Sequence, residues 1–227
     1  MDAVGNLVRV VANPSKVFES IRERPTWWLP IIILVATTVI AAIISAPLTS
    51  QVALQELQKM SDKMPPEQFA QAKQMINSPI ATAMTVVSGL IGVILAVLIQ
   101  TSLLHLAASV FGGSAKFGIG LATVAFAQVP IIIQQIFYSI YMAASGKLVK
   151  PGLSGVVSAD RLTSPLGVFL SRLDIFSIWS IFLVAIGFSI TYKISKGKSG
   201  AIAAGYWLAS TAFAVALSVL GTSFRPA

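Results

Sequence analysis

Five stretches of this chain run for 18 residues or more without an Asp, Glu, Lys or Arg: Pro25–Gln55, Gln74–Ala115, Phe117–Gly146, Ile175–Tyr192 and Ser199–Phe224. An ionised side chain costs roughly 2.5–3.5 kcal/mol at the centre of a spanning helix, and about 20 apolar residues cross the roughly 30 Å of bilayer hydrocarbon. Each window therefore holds one crossing, with cores at Trp28–Ser45, Ile80–Ala108, Ile119–Ala143, Ile175–Tyr192 and Gly200–Gly221. The second window is long enough for two, but no turn signal separates Gly89 from Ala108, so one long or tilted helix is expected. Composition agrees: 56% of residues are hydrophobic and 11% charged, against about 25% charged in soluble domains. The expected fold is all-α, a polytopic integral membrane protein with five transmembrane helices and short amphipathic interfacial helices. Its expected divisions are a cytoplasmic amphipathic segment (residues 1–27), a five-span membrane domain (28–221) and a short C-terminal tail (222–227).

The formal charge of +8 would point to nucleic acid in a soluble domain. Here the Lys and Arg residues sit singly beside apolar segments, which fits anionic headgroups at the inner face, not a phosphate-tracking groove. No nucleic-acid partner is expected. The absence of Cys excludes disulfides, Cys-ligated metals and thiol nucleophiles. The first apolar core begins after Arg24 and is too long for a cleaved signal peptide, and with Arg9, Lys16, Arg22 and Arg24 before it the N-terminus is expected to stay inside. Eight basic residues fall on each proposed side. The short loops carrying Lys116 and Lys193, Lys196 and Lys198 decide for an inside N-terminus and an outside C-terminus, as in a multi-pass inner-membrane protein.

Two segments outside the spans have helical periodicity. Gln51–Lys63 and Pro66–Asn77, separated by Met64-Pro65-Pro66, read as an outer helical hairpin with balanced charge. Before the first span, Asn13 and Pro14 open a helix with Val17, Phe18 and Ile21 on one face and Lys16, Glu19, Arg22 and Glu23 on the other. With Arg24, Trp27 and Trp28 following, Lys16, Phe18 and Arg22 are expected to belong to a membrane-surface anchor whose apolar face rests on lipid.

Within the spans, Gln100, His105, Gln128, Gln134 and Gln135 form a candidate intramembrane polar cluster, acting as interhelical glue or lining a substrate path. Asp174 is 19 residues from Lys193, about 28 Å of helix, so the two charges bracket the fourth span. Asp174, Phe176 and Trp179 make a candidate partner or lipid surface, with Lys147, Lys150 and Arg161 as possible counter-charges for the carboxylate. Gly152-Leu153-Ser154-Gly155 matches an intramembrane-protease pattern, but the one His, His105, is expected near the opposite membrane face. One His and no Cys leave no His-x-x-x-His zinc site, and Gly197-Lys198-Ser199 lacks the upstream Gly of a phosphate loop. No catalytic residue, metal or cofactor is expected. Small residues at three- and four-residue spacing (Gly89, Gly92 and Ala96; Ala201, Gly205, Ala209 and Ala212) permit close helix packing, within one chain or in a homo-oligomer.

Asn13-Pro14-Ser15-Lys16-Val17-Phe18 before a Trp-rich span, then Gly112-Gly113-Ser114-Ala115-Lys116-Phe117-Gly118 ahead of a span bearing Gln128-Val129-Pro130, resembles the bacterial branch of the Yip family of Ypt/Rab-interacting proteins. Leu173-Asp174-Ile175-Phe176-Ser177-Ile178-Trp179, with Gly187, Lys193 and Trp207 after it, is similar to the family's Leu-Asp-x-Phe-x-x-Trp stretch and the short basic loop beyond. The resemblance covers nearly the whole chain. It implies five spans, a cytoplasmic N-terminus and no enzymatic activity. The long region with the family's Asp-Leu-Tyr-Gly-Pro motif is absent, so binding to Rab-type GTPases does not carry over. The expected function is a non-enzymatic membrane adaptor or organising protein with a protein partner or lipid. The alternative is a small transporter or lipid scramblase using the polar residues of the second and third spans.

Overall fold

The computed structural model describes residues 3–157 and 162–223, which leaves Arg161 and residues 224–227 of the expected tail outside the described residues. Ten helices are described: α1 (Ala3–Ala12), α2 (Pro14–Glu23), α3 (Trp28–Lys59), α4 (Pro66–Ile76), α5 (Pro79–Val110), α6 (Phe117–Ala127), α7 (Val129–Ser145), α8 (Pro165–Arg172), α9 (Ile175–Thr191) and α10 (Lys196–Ser223). Short 3-10 turns occupy Ser61–Lys63 and Gly152–Val156, and no strand occurs among the described residues. α3, α5, the α6–α7 stretch and α10 are each long and apolar enough to cross a bilayer. α8 and α9, bent by 58° at a short break, form the fifth candidate span.

The breaks have identifiable causes. Pro130 has no N–H to continue the ladder, so α6 ends at Ala127 and α7 restarts with Pro130 in its first turn, where a missing donor costs nothing. The Ala127 carbonyl freed at that point accepts the Ser180 hydroxyl of α9 at 2.8 Å. Between α8 and α9, Asp174 is extended and its carboxylate accepts the N–H groups of Phe176 and Ser177 at 2.9 and 3.1 Å. Such a cap satisfies donors that α9 itself cannot pair. The long second window forms one uninterrupted helix, α5.

Two compact units emerge. The first comprises Met1–Leu34, Ala96–Ile133 and Lys150–Ala227. Within it α9 packs against α2, α6 and α10, while α8 packs on α10 and on the turn at Gly152–Val156. Its core is built from Val17, Phe18, Ile21, Leu104, Val124, Phe126, Leu183, Val184 and Phe188, all buried. The second unit comprises Val35–Leu95 and Gln134–Val149. There Gln135 binds α3 through both ends of its amide, accepting from Thr37 Oγ1 at 2.6 Å and donating to Thr38 Oγ1 at 3.1 Å.

Burial separates protein contact from lipid contact. In the α6–α7 stretch 61% of the most apolar window is buried, whereas in α5 the figure is 6%. Ile80, Met84, Val87 and Ile91 repeat along α5 at three- and four-residue spacing, each more than half exposed. A surface this apolar matches hydrocarbon as its solvent.

Three expectations need correction. Gln51–Lys59 is not a separate hairpin arm, because α3 runs through it; Pro47 lies inside that helix without ending it. At 32 residues α3 is about 48 Å long, well beyond the hydrocarbon. Asn13 precedes α2 but makes no capping hydrogen bond with its side chain, so Pro14 alone marks that start. Phe18 does not rest on lipid: Val17, Phe18 and Ile21 are buried in protein as α2 lies on α9 and α6. The preceding helix α1 carries the exposed apolar residues instead, Val4, Val8 and Val11.

Candidate functional site at the basic end of the first unit

The docking of α2 depends on one glycine. A Cβ on Gly187 of α9 would lie 2.5 Å from Thr123 Cγ2 and 3.0 Å from the Phe18 ring, distances that real Cβ contacts do not tolerate without displacement. With no side chain there, Phe18 enters between α6 and α9 and becomes fully buried. Thr123 Oγ1 lies 2.8 Å from the Ile119 carbonyl and 3.2 Å from Thr191 Oγ1, and the Thr191 hydroxyl donates to the Gly187 carbonyl at 2.8 Å. At the far end of α2, the Arg22 guanidinium is 3.5 Å from the Ile190 carbonyl, a long contact that carries charge attraction more than bond strength.

The two short loops at this end are tied to each other. Gly113 donates its N–H to the Ala108 carbonyl at 2.8 Å and Ser114 donates to the Tyr192 carbonyl at 3.3 Å. Lys198 Nζ donates to the Phe111 carbonyl at 3.0 Å, and Ser189 closes the α9–α10 loop by donating to the Ile194 carbonyl at 3.1 Å. α10 starts at Lys196, so that loop is only four residues long, Tyr192 to Ser195. Lys193 turns it in the left-handed region at φ 55°, a conformation that disfavours a side chain by about 1–2 kcal/mol. Beneath the loop, Tyr192 stacks on Phe188 at 4.7 Å between ring centroids, and its hydroxyl meets His105 Nδ1 at 2.6 Å. The hydroxyl sits where a Cβ on Gly120 would go.

Thus the N-terminal helices, the Gly112–Lys116 loop and the Tyr192–Ser195 loop meet at one end of the first unit. They bring Lys16, Arg22, Arg24, Lys116, Lys193, Lys196 and Lys198 to that end, with Glu19 and Glu23 among them on α2. Trp27 and Trp28 follow α2 and are 44% and 51% exposed.

Each of the five intramembrane polar residues has a hydrogen-bond partner within its own unit. Gln128 Nε2 donates to Gln100 Oε1 at 2.7 Å, pairing α6–α7 with α5. His105 takes Tyr192, and in the second unit Gln135 takes Thr37 and Thr38 while Gln134 donates to Tyr138 at 3.3 Å. Ser154 of the protease-like pattern is buried and donates to the Pro151 carbonyl at 2.6 Å, a turn-closing bond. Asp174 is 9% exposed and turned inward as the α9 cap, while Phe176 and Trp179 beside it are half-buried. Lys150 donates to the Val157 carbonyl at 3.2 Å. Tyr192, Thr123 and Thr191 escaped the sequence reading, since their partners lie 68 and 87 residues away. Gly187 did not, because it stands in the stretch that carried the family resemblance.

A polytopic α-helical membrane protein with a lipid-facing exterior and an N-terminal helix locked onto its own bundle is the class these features define. The Yip1 domain family profile matches residues 8–218. The chain belongs to the Yip1 domain family. It is similar to a protein of Bacillus subtilis (strain 168) called membrane protein YknW, 31% identical over 205 residues that span 88% of this chain and 83% of that relative. No solved structure matches it.

Proposed function

We propose that this protein is a non-enzymatic adaptor or organising protein of a bacterial inner membrane, working through the basic end of its first unit. In this reading that end and the N-terminus face the cytoplasm and the C-terminus lies outside. One observation supports it above the others: α2 is held by Phe18 against Gly187, so its charged face and the two tied loops make a preassembled surface. A prearranged charged surface favours recognition because little ordering entropy is lost on binding. The bacterial relative named as a membrane protein supports the membrane location, and the basic residues in the short loops support the orientation.

Affinity capture from native membranes tests the role. Wild-type protein and a Lys59→Glu/Lys73→Glu variant should recover the same reproducible partner, which a Lys116→Glu/Lys193→Glu variant should lose. Identical recovery by all three, or no reproducible partner, contradicts the reading. In liposomes, fluorescent-lipid distribution and solute leakage should stay unchanged. Rapid equilibration of either would favour a transporter or scramblase.

A further inference from the structure

One stripe of α9 is grooved from its basic end toward the membrane interior. At that end, Ser15 of α2, Ser189 of α9 and Lys196 of α10 border a groove of about 260 Å³ over Ala185, Ile186 and Ile190. Ala185 also borders a second groove of about 290 Å³ between α9 and α10, where Ile178, Phe182, Gly200 and Trp207 offer only apolar surface. Ile178, Phe182, Ala185 and Ser189 recur at three- and four-residue spacing and so share one face of the helix. From Ile190 to Ile178 that face extends about 18 Å, close to one leaflet's share of the roughly 30 Å hydrocarbon.

We propose that this stripe seats one anionic phospholipid, its phosphate against Lys196 and Ser15 and one acyl chain along Ala185, Phe182 and Ile178 toward Trp207. Charge complementarity selects the occupant. Neither Lys196 nor the Ser15 hydroxyl takes a partner among the described residues, whereas nearby Lys198 and Ser189 are both used on backbone carbonyls. Ser15 and Lys196 also lie in the first turns of α2 and α10, where unpaired N–H groups favour an anion. Glu19, one turn beyond Ser15, is the nearby acid on α2 and limits how much negative charge the headgroup can carry. The lining changes from partly polar, at Ser15, Ser189 and Lys196, to wholly apolar along one helix face. That order suits an amphiphile, and a free phosphate has no use for the apolar half.

The proposal rests on the orientation given above, because it needs the basic end at the anionic leaflet. Its test uses full-length protein with Trp27, Trp28 and Trp179 changed to Phe, so that Trp207 is the remaining Trp. The protein is reconstituted with lipids brominated on their acyl chains. Phosphatidylglycerol should quench Trp207 at several-fold lower mole fraction than phosphatidylcholine. Lys196→Gln should abolish that preference, Lys196→Arg should keep it, and Ala185→Leu should weaken quenching by both lipids. Lys196 is exposed, so its replacement should leave the melting temperature unchanged. Equal quenching by the two lipids, or a preference that survives Lys196→Gln, overturns the proposal. A failed adaptor reading shows instead in the capture experiment, which leaves Trp207 quenching unaltered.

Discussion

At Gly187 the chain has no room for a second carbon. Gly187→Leu would drive atoms into Thr123 and the Phe18 ring, and overpacking of this kind costs about 1–3 kcal/mol. The strain is relieved by releasing α2, so trypsin should cleave at Arg22 or Arg24 several times faster while the spans stay inserted. Cleavage at the wild-type rate would mean that Phe18 is not held there. The Gln100–Gln128 pair makes a second residue-level case. Either single change to Leu leaves one amide unpaired and should cost roughly 0.6–1.7 kcal/mol, the range for hydrogen bonds between membrane helices. The double Leu variant should lose less than the sum of the single changes, read by unfolding in mixed detergent. Additive losses would show that the bond at 2.7 Å contributes no coupling. The sequence offered the five polar residues, and antiparallel spans put Gln100 and Gln128 at similar depth, but it did not say which amide pairs with which. Two Gln residues 28 positions apart look no different from Gln134 and Gln135, and only packing assigns each amide its partner.

At the scale of helices, the spans were legible because absence of charge over 18 or more residues has one physical solution in lipid. Pro130 marked the break in the third span for an equally local reason. Harder to read was which amphipathic helix meets lipid. Val17, Phe18 and Ile21 would suit either lipid or protein, and the close approach that Gly187 permits decides for protein. α1 carried no cap or proline signal, so a helix there was not anticipated. Its Val4, Val8 and Val11 are 63%, 74% and 41% exposed, the apolar face that an interfacial helix would need. A nitroxide at Val8 should therefore be more accessible to oxygen than to a water-soluble nickel complex, and one at Glu19 should show the reverse. Equal accessibility at both sites would place α1 in water.

For the whole molecule, membership in the Yip1 domain family and the all-α spanning architecture agree with the sequence reading, while the finer assignments depend on sidedness. The central claim is that α2 and the loops at Lys116 and Lys193 form a single cytoplasmic end. No native Cys interferes with placing single cysteines. Ser154 is a poor reporter of the opposite side because it is 1% exposed, but neighbouring Leu153 is 53% exposed. In intact cells, cysteines at Ser61 and Leu153 should react with a membrane-impermeant thiol reagent. Those at Asn13, Lys116 and Ser195 should react only after permeabilisation. Labelling of Asn13, Lys116 and Ser195 from outside would reverse the orientation, and labelling of only one or two of them would contradict the single basic end itself.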